Sequence, residues 1–454
     1  MAYIGHIYMN KKEKKLKQLL PQLTQIKGLS HDGRGIGMIN QKTAFIAGAL
    51  PGETVECQIT HQRNQYIEAQ VLNVLEASTT RTTPACPHFG VCGGCSLQYM
   101  TTDAQLALKL QTVLEQLKHF GNVIPLNIMP PLQAQPFGYR RKARLGVRYV
   151  FKKNKLLIGF REKSSRYLAD LNQCLVLHPM IGERFEQLRE LISSLDSSQH
   201  IPQIEVAIGD ETVALVFRHL QDLSDRDQQA IIEFAKIYNF QIYLQPNPPA
   251  PVTKLWPNDA IDRLSYSLPN ENLEFLFHPL DFTQINLEIN RLMIGQALNW
   301  LALNKNDHVL DLFCGIGNFT LPMARHAEQV IGIEGSELMV ERAKENARHN
   351  GIENVEYYAA NLAQPTLSAA WLAKKHHKIL LDPPRAGAKE VLPLIASVNA
   401  QRILYVSCNP ATFARDAGEL VHTYHYQLKK IGIMNMFPHT SHIETMAVFD
   451  KEIA

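Results

Sequence analysis

The 454-residue sequence lacks the features of a membrane or secreted protein. No apolar run approaches the roughly 18 residues that a membrane-spanning helix needs. The first twenty residues place their charges after a short mixed segment, which is the wrong order for a secretory signal. Low-complexity tracts and internal repeats are also missing, and the composition is that of an ordinary globular protein. We therefore expect a cytoplasmic protein that binds no membrane.

Cysteine is scarce, and the seven cysteines of the chain are an odd number. In a long chain without a secretory signal, these two facts argue against a framework of disulfides. Three of the seven lie within ten residues, CPHFGVCGGC, as Cys86, Cys92 and Cys95. Metal binding and nucleophilic chemistry are the specific interpretations of such thiols, and plain burial is the alternative.

Net charge is also small, at +3, so the total charge excludes no class of partner. Its distribution is uneven. Residues 11–17, KKEKKLK, hold five lysines and one glutamate. From Arg140 to Arg166, eleven Lys or Arg residues accompany a single acid, Glu162, and aromatic residues lie in or beside the run. Either run can be a solvated face, but cations among aromatics also suit a phosphate backbone and stacked bases.

The pattern of apolar residues changes along the chain. Residues 20–78 contain short strand-like runs separated by glycines, which is typical of a small β-barrel. A predicted helix then ends at Gly121, and residues 125–280 mix strands with a helix near 226–238. From about residue 285 onward, apolar strands alternate with amphipathic helices. That alternation predicts an α/β domain with a parallel sheet covered on both faces.

Polar or glycine residues follow four successive strands of this predicted sheet. Gly315 and Gly317 lie between the first strand and its helix, where backbone passes close to a ligand. Glu334, Asn361 and Asp382 stand at the ends of the next three strands. Because ligands of parallel sheets lie beyond the carboxyl ends of the strands, these residues predict a site rather than four separate turns.

The dinucleotide fingerprint GxGxxG is missing, because Thr320 occupies the position of its third glycine. The start of the helix also lacks cationic ligands for phosphate. An acid at the position of Glu334 can still accept hydrogen bonds from two ribose hydroxyls. A cofactor with a ribose and no phosphate therefore fits better, and S-adenosylmethionine (SAM) is such a cofactor.

A cysteine and a glutamate near the C-terminus are candidates for catalysis. Cys408 ends the fifth strand where Pro410 and Thr412 open a helix, and the positive end of a helix favours thiolate. A buried small hydrophobe is the alternative, but the shared sheet edge with Asp382 favours a nucleophile. Glu444 interrupts the apolar run SHIETMAVF. It is either a general base with a raised pKa or a surface residue of an edge strand.

Five motifs, DFTQIN, DLFCGIGNF, LLDPPRAG, YVSCNP and HIETMAVF, together resemble the motif series of the RNA uracil-C5 methyltransferases that use SAM. The resemblance extends over nearly the whole chain. It implies a C-terminal class I, Rossmann-like SAM-dependent methyltransferase domain at 281–454. It also implies an N-terminal TRAM β-barrel of OB-like type with a basic extension at 1–80, and a central α+β domain with an iron–sulfur cluster at 81–280.

The motifs also imply roles for single residues. Cys408 corresponds to the nucleophile and Glu444 to the base. The implied cofactor contacts are Gln284, Phe313, Gly315, Gly317, Asn318, Glu334, Asn361 and Asp382. Arg385 stands where cytosine-C5 RNA methyltransferases typically carry another cysteine, which favours uracil as the target base.

The three clustered cysteines need a fourth ligand for a tetrahedral set, and the candidates are Cys57, Cys174, Cys314 and Cys408. Four thiolates bind zinc or a four-iron cluster, and the spacing alone leaves both open. The resemblance implies that Cys174 completes the set with Cys86, Cys92 and Cys95, and that the group is a [4Fe–4S] cluster.

The resemblance finally implies methyl transfer from SAM to C5 of a specific uracil in 23S ribosomal RNA, expected at uracil 1939, through a covalent Cys–C6 adduct. We expect a monomer whose candidate RNA contacts are Arg140, Arg141, Lys142 and Arg144. One alternative keeps the chemistry and changes the substrate to another ribosomal site or to transfer RNA. Another is a redox-sensing, non-catalytic iron–sulfur RNA-binding protein. The intact pair Cys408 and Glu444 favours the enzyme.

Overall fold

The structure is a computed structural model that describes residues 20–163, 165–247, 251–258, 261–364 and 369–452. The lysine-rich segment at 11–17 lies outside the described residues. Contacts divide the chain into two compact units. The first unit comprises Met1–Phe89, Cys95–Thr112 and His439–Ser441, and the second comprises Gly90–Gly94, Val113–Pro438 and His442–Ala454. The division into three domains stays a prediction.

The first unit contains the small β-barrel that the glycine-punctuated sequence predicts. Its strands are β1 (Gln22–Gln25), β2 (Gly28–Leu29), β3 (Gly35–Ile39), β4 (Lys42–Ala47), β5 (Thr54–Gln62) and β6 (Tyr66–Glu76). They form one sheet in the order β1-β5-β6-β4-β3-β2. The ends of the sheet meet, because Lys27 N donates to Ile36 O at 2.8 Å and Thr24 Oγ1 to Met38 O at 3.0 Å. Gly37 permits this close approach of β1 to β3, since an added Cβ would lie 2.8 Å from Thr24 Oγ1.

A buried carboxylate joins the loop before β5 to the segment after β6. Glu53 is fully buried, and its carboxylate accepts hydrogen bonds from Leu50 N at 2.8 Å, Ser78 N at 3.2 Å and Arg81 Nη2 at 2.7 Å. Burial opposes ionisation of Glu53, but these hydrogen bonds and the charge of Arg81 outweigh it and lower the pKa of Glu53 below its ordinary value.

Helix α1 (Thr102–Gln116) begins in the first unit and anchors residues from far along the chain. The buried side chain of Gln105 donates to Met100 O at 2.8 Å and accepts from His439 N at 2.9 Å. Beyond α1 the chain makes one π-helical turn (Leu117–Gly121) and ends on Asn122 with a positive φ. The predicted end of the helix at Gly121 is therefore confirmed.

The second unit opens with a mixed sheet. Its elements up to residue 277 are β7 (Asn127–Ile128), β8 (Lys142–Val150), β9 (Lys155–Gly159), α2 (Pro179–Gly182), α3 (Phe185–Ser194), β10 (Gln203–Ile208), β11 (Val213–Arg218), α4 (Asp225–Tyr238), β12 (Phe240–Gln245), β13 (Thr253–Trp256), β14 (Leu264–Leu268) and β15 (Leu273–Phe277). The sheet order is β13-β12-β11-β10-β8-β9, and β14 pairs with β15. Helix α4 confirms the helix predicted near 226–238.

The rest of the second unit is the predicted parallel sheet with its helices. The elements are α5 (Leu287–Leu301), β16 (His308–Leu312), α6 (Thr320–Ala324), β17 (Gln329–Glu334), α7 (Glu337–His349), β18 (Val355–Ala359), β19 (Lys378–Leu381), α8 (Leu392–Val398), β20 (Arg402–Ser407), α9 (Pro410–His422), β21 (Tyr426–Met434) and β22 (Glu444–Lys451). The order is β18-β17-β16-β19-β20-β22-β21-β7, parallel from β18 to β20. Strands β17 and β18 are added on one side of β16, and β19 and β20 on the other. Sheets of this type bind ligands at the point where the strand order reverses in this way.

Helices of the described residues include none that is long and apolar enough to cross a membrane.

The hydrogen bonds of Glu53 generate a prediction about stability. We expect Glu53→Gln to destabilise the first unit by about 2 kcal/mol at pH 7, because it removes a buried charge from charge-assisted hydrogen bonds. Because folding lowers the pKa of Glu53, its carboxylate stabilises the fold at pH values above the ordinary pKa of 4.5. This stabilisation is lost as the pH falls through the pKa of the folded state. The difference between the wild type and Glu53→Gln should therefore shrink on acidification.

Urea unfolding followed by hydrogen exchange in β5 and β6 measures this difference in the full chain. Glu56→Gln is the matched control, since Glu56 is half-buried in β5 and accepts from Asn73 Nδ2. We expect that control to lie within about 0.5 kcal/mol of the wild type. Equal effects of the two substitutions would contradict the role of Glu53.

Candidate active site

The carboxyl ends of the parallel strands meet at one edge of the sheet. Leu312, the last residue of β16, pairs with Ile333 of β17 and with Leu381 of β19. The same register continues outward from β17 to β18 and from β19 to β20. The predicted site residues at or just beyond these strand ends are Phe313, Glu334, Asn361, Asp382 and Cys408. The structure therefore brings to one edge the groups that the sequence places at successive strand ends.

The loop after β16 has a backbone that favours glycine. Gly315 and Gly317 have φ values of +55° and +90°, and Phe313 has a φ of +67°. An added Cβ on Gly315 would meet no atom within 4 Å, so the backbone conformation and not crowding accounts for that glycine. Phe313, a non-glycine residue in the left-handed region, adds local strain of the kind that concentrates at functional sites.

Glu334 is fastened to this glycine loop. Its Oε2 atom accepts from Gly315 N at 3.1 Å, and its Oε1 atom accepts from Ser336 N at 3.1 Å. A carboxylate has about four acceptor positions, so both oxygens can accept a further donor such as a ribose hydroxyl. Asn361, beyond the next strand, is exposed and accepts from Ala363 N at 3.0 Å through its side chain.

Asn318 is held by two buried residues that the motifs do not include. Its Oδ1 accepts from Tyr266 Oη at 2.8 Å and from Asn290 Nδ2 at 3.1 Å, and its Nδ2 donates to Asn290 Oδ1 at 2.9 Å. The reciprocal amide pair fixes the orientation of the Asn318 side chain. The sequence signals Asn290 only by its polar side chain among the apolar residues of the buried face of α5.

A small cavity beside this amide pair is lined by Gln284, together with Arg141, Tyr266 and Asn290 among others. Gln284 lies in the loop between β15 and α5, two residues before the N-cap residue Asn286. The predicted cofactor contact Gln284 therefore belongs to the same neighbourhood as Asn318.

Asp311, buried in β16, and Asp382, half-buried just after β19, are two aspartates with raised pKa values at this edge. Burial raises the pKa of Asp382 to about 7. Burial also raises the pKa of Asp311 to about 8, helped by the charges of Asp382 and Glu334 and opposed by a hydrogen bond from Thr320. Thr320 Oγ1 donates to Asp311 Oδ2 at 2.5 Å. The threonine that breaks the dinucleotide fingerprint thus has a structural role beneath the loop.

The antiparallel pairing of β20 with β22 brings Cys408 and Glu444 together. Ser407 pairs with Thr445, so Cys408 and Glu444 are the residues next to that pair on adjacent strands. Burial raises the pKa of the Cys408 thiol, and the charges of Glu444 and Asp382 raise it further. Both acids therefore act on Cys408 at the same edge.

The predicted helix start after Cys408 is confirmed, since α9 begins at Pro410 and Asn409 caps it by accepting from Ala411 N. The expected stabilisation of thiolate by this helix end stays a prediction, whereas burial and the two acids raise the pKa of Cys408. The charge of Arg385 opposes them and lowers the pKa of Cys408.

Arg385 is fixed by the segment that carries Cys408. Its carbonyl oxygen accepts from Asn409 Nδ2 at 2.9 Å and from Thr412 Oγ1 at 3.2 Å. Its guanidinium lies 3.1 Å from His442 Nδ1, two residues before Glu444. Arg385 therefore connects the start of α9, through its backbone carbonyl, to the segment before β22, through its guanidinium.

The cysteines fall into two groups by burial. Cys57 and Cys314 are buried, and the Cys57 thiol donates to Gln22 O at 3.4 Å in the barrel core. The predicted cluster ligands Cys86, Cys92, Cys95 and Cys174 are half-buried. Across the described ranges, no cysteine forms a disulfide, and no group of three or more His, Cys, Asp or Glu has the geometry of a metal site. The cluster stays a prediction.

The four predicted RNA contacts differ in their surroundings. Arg140, Arg141 and Lys142 are half-buried, and each donates to a backbone carbonyl, those of Lys142, Gly209 and Asp281 respectively. Arg144 is exposed over 68% of its side chain and lies 3.3 Å from Glu205. Contact with RNA stays a prediction for all four.

Comparison of the chain with known proteins identifies its family. The family model described as tRNA (Uracil-5-)-methyltransferase matches residues 198–452, and that of the TRAM domain matches residues 22–72. Proteins named 23S rRNA (uracil(1939)-C(5))-methyltransferase RlmD are similar to nearly the whole chain. The one from Alkalilimnicola ehrlichii is 49% identical over 94% of this chain and 96% of its own. The one from Hahella chejuensis is 48% identical over 98% and 100%.

A solved structure has the same fold. The tRNA (uracil-54, C5)-methyltransferase of Pyrococcus abyssi, in complex with S-adenosyl-L-homocysteine, has a TM-score of 0.72 at 23% sequence identity, over 94% of this chain and 100% of that chain. With more than half of the chain matched by the family model and close relatives over its full length, the chain belongs to the RNA uracil-C5 methyltransferase family.

Proposed function

We propose that the chain transfers the methyl group of SAM to C5 of uracil 1939 in 23S ribosomal RNA, forming 5-methyluridine. The observation that carries this proposal is the neighbouring placement of Cys408 and Glu444 at the edge where Glu334 and Asp382 lie. The substrate follows from the relatives named 23S rRNA (uracil(1939)-C(5))-methyltransferase, which are 47–49% identical to the chain.

The residues at the sheet edge fit the donor. Glu334 has acceptor positions for the ribose hydroxyls, and the glycine loop leaves space over Gly315. The remaining proposed contacts are Gln284, Phe313, Gly317, Asn318, Asn361 and Asp382. When bound, SAM supplies an electrophilic methyl group on a sulfonium centre.

Cys408 and Glu444 perform complementary steps in this proposal. Uracil C5 is a poor nucleophile, and addition of the Cys408 thiolate to C6 gives the C5 side the character of an enolate. C5 can then form a bond to the methyl carbon as the bond from that carbon to the donor's sulfonium sulfur breaks, which would leave S-adenosyl-L-homocysteine. Glu444 removes the proton that remains on C5, and β-elimination breaks the Sγ–C6 bond, so that the thiolate and 5-methyluridine are released. The target base must leave its stack to reach Cys408.

We propose that exposed cations contribute to RNA binding. Arg144 and Arg148 are both exposed on β8, whereas Ala143, Leu145 and Val147, on the opposite face of the strand, are buried. Cations on one exposed strand face can follow a phosphate backbone. The barrel of the first unit, matched as a TRAM domain, is the second proposed RNA-binding element.

We also propose that Cys86, Cys92, Cys95 and Cys174 bind a [4Fe–4S] cluster. The donor set fits by its chemistry, since four half-buried thiols suit a soft iron–sulfur group. Gly94 N lies 3.4 Å from Cys92 Sγ as a donor, and hydrogen bonds of this kind tune cluster sulfurs. Zinc is the other group that such thiols bind.

The roles of Cys408 and Glu444 can be separated by tritium release from RNA labelled at uracil C5. We expect Cys408→Ala to abolish release, since no adduct forms. For Glu444→Gln we expect release to fall by roughly 10²–10⁴-fold, the usual contribution of a general base, while a methylated protein–RNA adduct accumulates on denaturing gels.

Glu419→Gln, a substitution on α9, serves as the control for the loss of a carboxylate and should release tritium like the wild type. The substrates are a 23S fragment around uracil 1939 and a transfer RNA. Undiminished release by Cys408→Ala would refute the mechanism, and release from transfer RNA alone would refute the substrate.

The charges around Cys408 predict how its reactivity depends on pH. A raised pKa leaves the thiol mostly protonated at neutral pH, so its alkylation by iodoacetamide should accelerate as the pH rises. Glu444→Gln removes a charge that raises this pKa, and the midpoint of the profile should move to lower pH. Arg385→Gln should move it to higher pH. Mass spectrometry of the Cys408 peptide measures the rates, and an unmoved midpoint in both variants would contradict the electrostatic account.

The cluster proposal predicts the composition of protein purified without air. We expect visible iron–sulfur absorption and about four irons per chain. Cys174→Ser should lower the iron content, whereas Cys57→Ser, in the barrel core, should retain it. Colourless protein with stoichiometric zinc would overturn the assignment.

A further inference from the structure

The loop between β15 and α5, residues 278–286, carries the proposed cofactor contact Gln284 and is held at Asp281. The Asp281 carboxylate is buried, and its Oδ2 atom accepts from His278 N at 2.7 Å and from Arg342 Nε at 2.8 Å. Arg342 belongs to α7, the helix that follows Glu334. The loop is thereby joined to the helix next to the proposed ribose site.

The backbone of Asp281 is held by a lysine of the basic run. Lys142 Nζ donates to the backbone carbonyl of Asp281, and the charge of the Asp281 carboxylate also attracts the ammonium group. Lys142 is half-buried at the start of β8. A cation that is desolvated against a carbonyl and a carboxylate is poorly placed to reach a phosphate in solvent.

The backbone next to Lys142 pairs with the same loop. Arg141 N donates to Ile285 O at 2.9 Å, and Arg140 forms an antiparallel bridge with Asn286. The Arg141 side chain donates to Gly209 O at 2.7 Å and lines the cavity that Gln284 also lines. Residues 140–142 therefore brace the loop along its length.

We propose that Lys142 is a positioning residue of the cofactor site: with Arg342 it clamps Asp281 from two sides and thereby fixes the loop that presents Gln284. This inference rests on the proposed function, because it takes Gln284 as a contact of SAM. It separates the basic run into residues that support the cofactor site, such as Lys142, and exposed residues that can meet RNA, such as Arg144.

Lys142→Met and Arg144→Met test this separation, because both residues lie on β8 and both substitutions remove one charge. We expect Lys142→Met to weaken S-adenosyl-L-homocysteine binding about tenfold, the effect of one charge-assisted hydrogen bond, without changing the salt dependence of RNA binding. Arg144→Met should leave the affinity for S-adenosyl-L-homocysteine within about twofold and should reduce the salt slope of RNA binding by about one. Calorimetry and filter binding at several salt concentrations measure the two affinities.

Two further measurements distinguish positioning from general destabilisation. Lys142→Arg keeps a cationic donor and should recover most of the lost affinity. Hydrogen exchange of Lys142→Met should rise in residues 278–286 and stay unchanged in β5 and β6 of the barrel. Arg342 is left intact, because breaking its buried pair with Asp281 would unfold too much of the surroundings.

The opposite pattern, in which Lys142→Met weakens RNA binding and leaves the affinity for S-adenosyl-L-homocysteine intact, would overturn the clamp and make Lys142 a phosphate contact. Wild-type protein that binds no S-adenosyl-L-homocysteine would instead overturn the proposed function. The two failures are therefore distinguishable.

Discussion

The antiparallel pairing of β20 with β22 is the interaction on which the proposed chemistry depends. The strands from β18 to β20 in the sheet order are parallel, so their carboxyl ends all lie at the edge that holds the proposed site. Strand β22 runs the other way and therefore delivers its first residue, Glu444, to that edge. The proposed nucleophile at the end of β20 and the proposed base at the start of β22 are therefore neighbours across a pair of hydrogen-bonded strands.

The same edge is a region of low solvation, and this decides the protonation of its groups. Burial raises the pKa values of Asp311, Asp382 and Cys408, and the charge of Asp382 further raises those of Asp311 and Cys408. Arg385 is the nearby charge that lowers the pKa of Cys408. The resting thiol of Cys408 is thereby kept protonated. In the proposed mechanism it must therefore lose its proton before it reacts.

Much of this arrangement could be predicted from the sequence because it follows from strand order and local motifs. The glycine loop, Glu334 at a strand end and Cys408 before a helix depend on residues that are adjacent in the chain. Asn290 and Tyr266 could not be predicted, since they reach Asn318 only after α5 and β14 have packed together. The net direction of the Cys408 pKa could not be predicted either, because burial is a property of the folded surroundings.

The basic run shows why a count of charges overstates a nucleic-acid surface. A strand directs alternate side chains to opposite faces, and in β8 the positions 143, 145 and 147 are buried while Arg144 and Arg148 are exposed. Lys142 stands at the point where β8 begins, and its ammonium group turns to a carbonyl of another segment. Two cations two residues apart thus have different surroundings, one desolvated and one hydrated. Since a cation must reach a phosphate to displace the counterions condensed on the RNA, we expect any electrostatic contribution of this run to RNA binding to come from its exposed members.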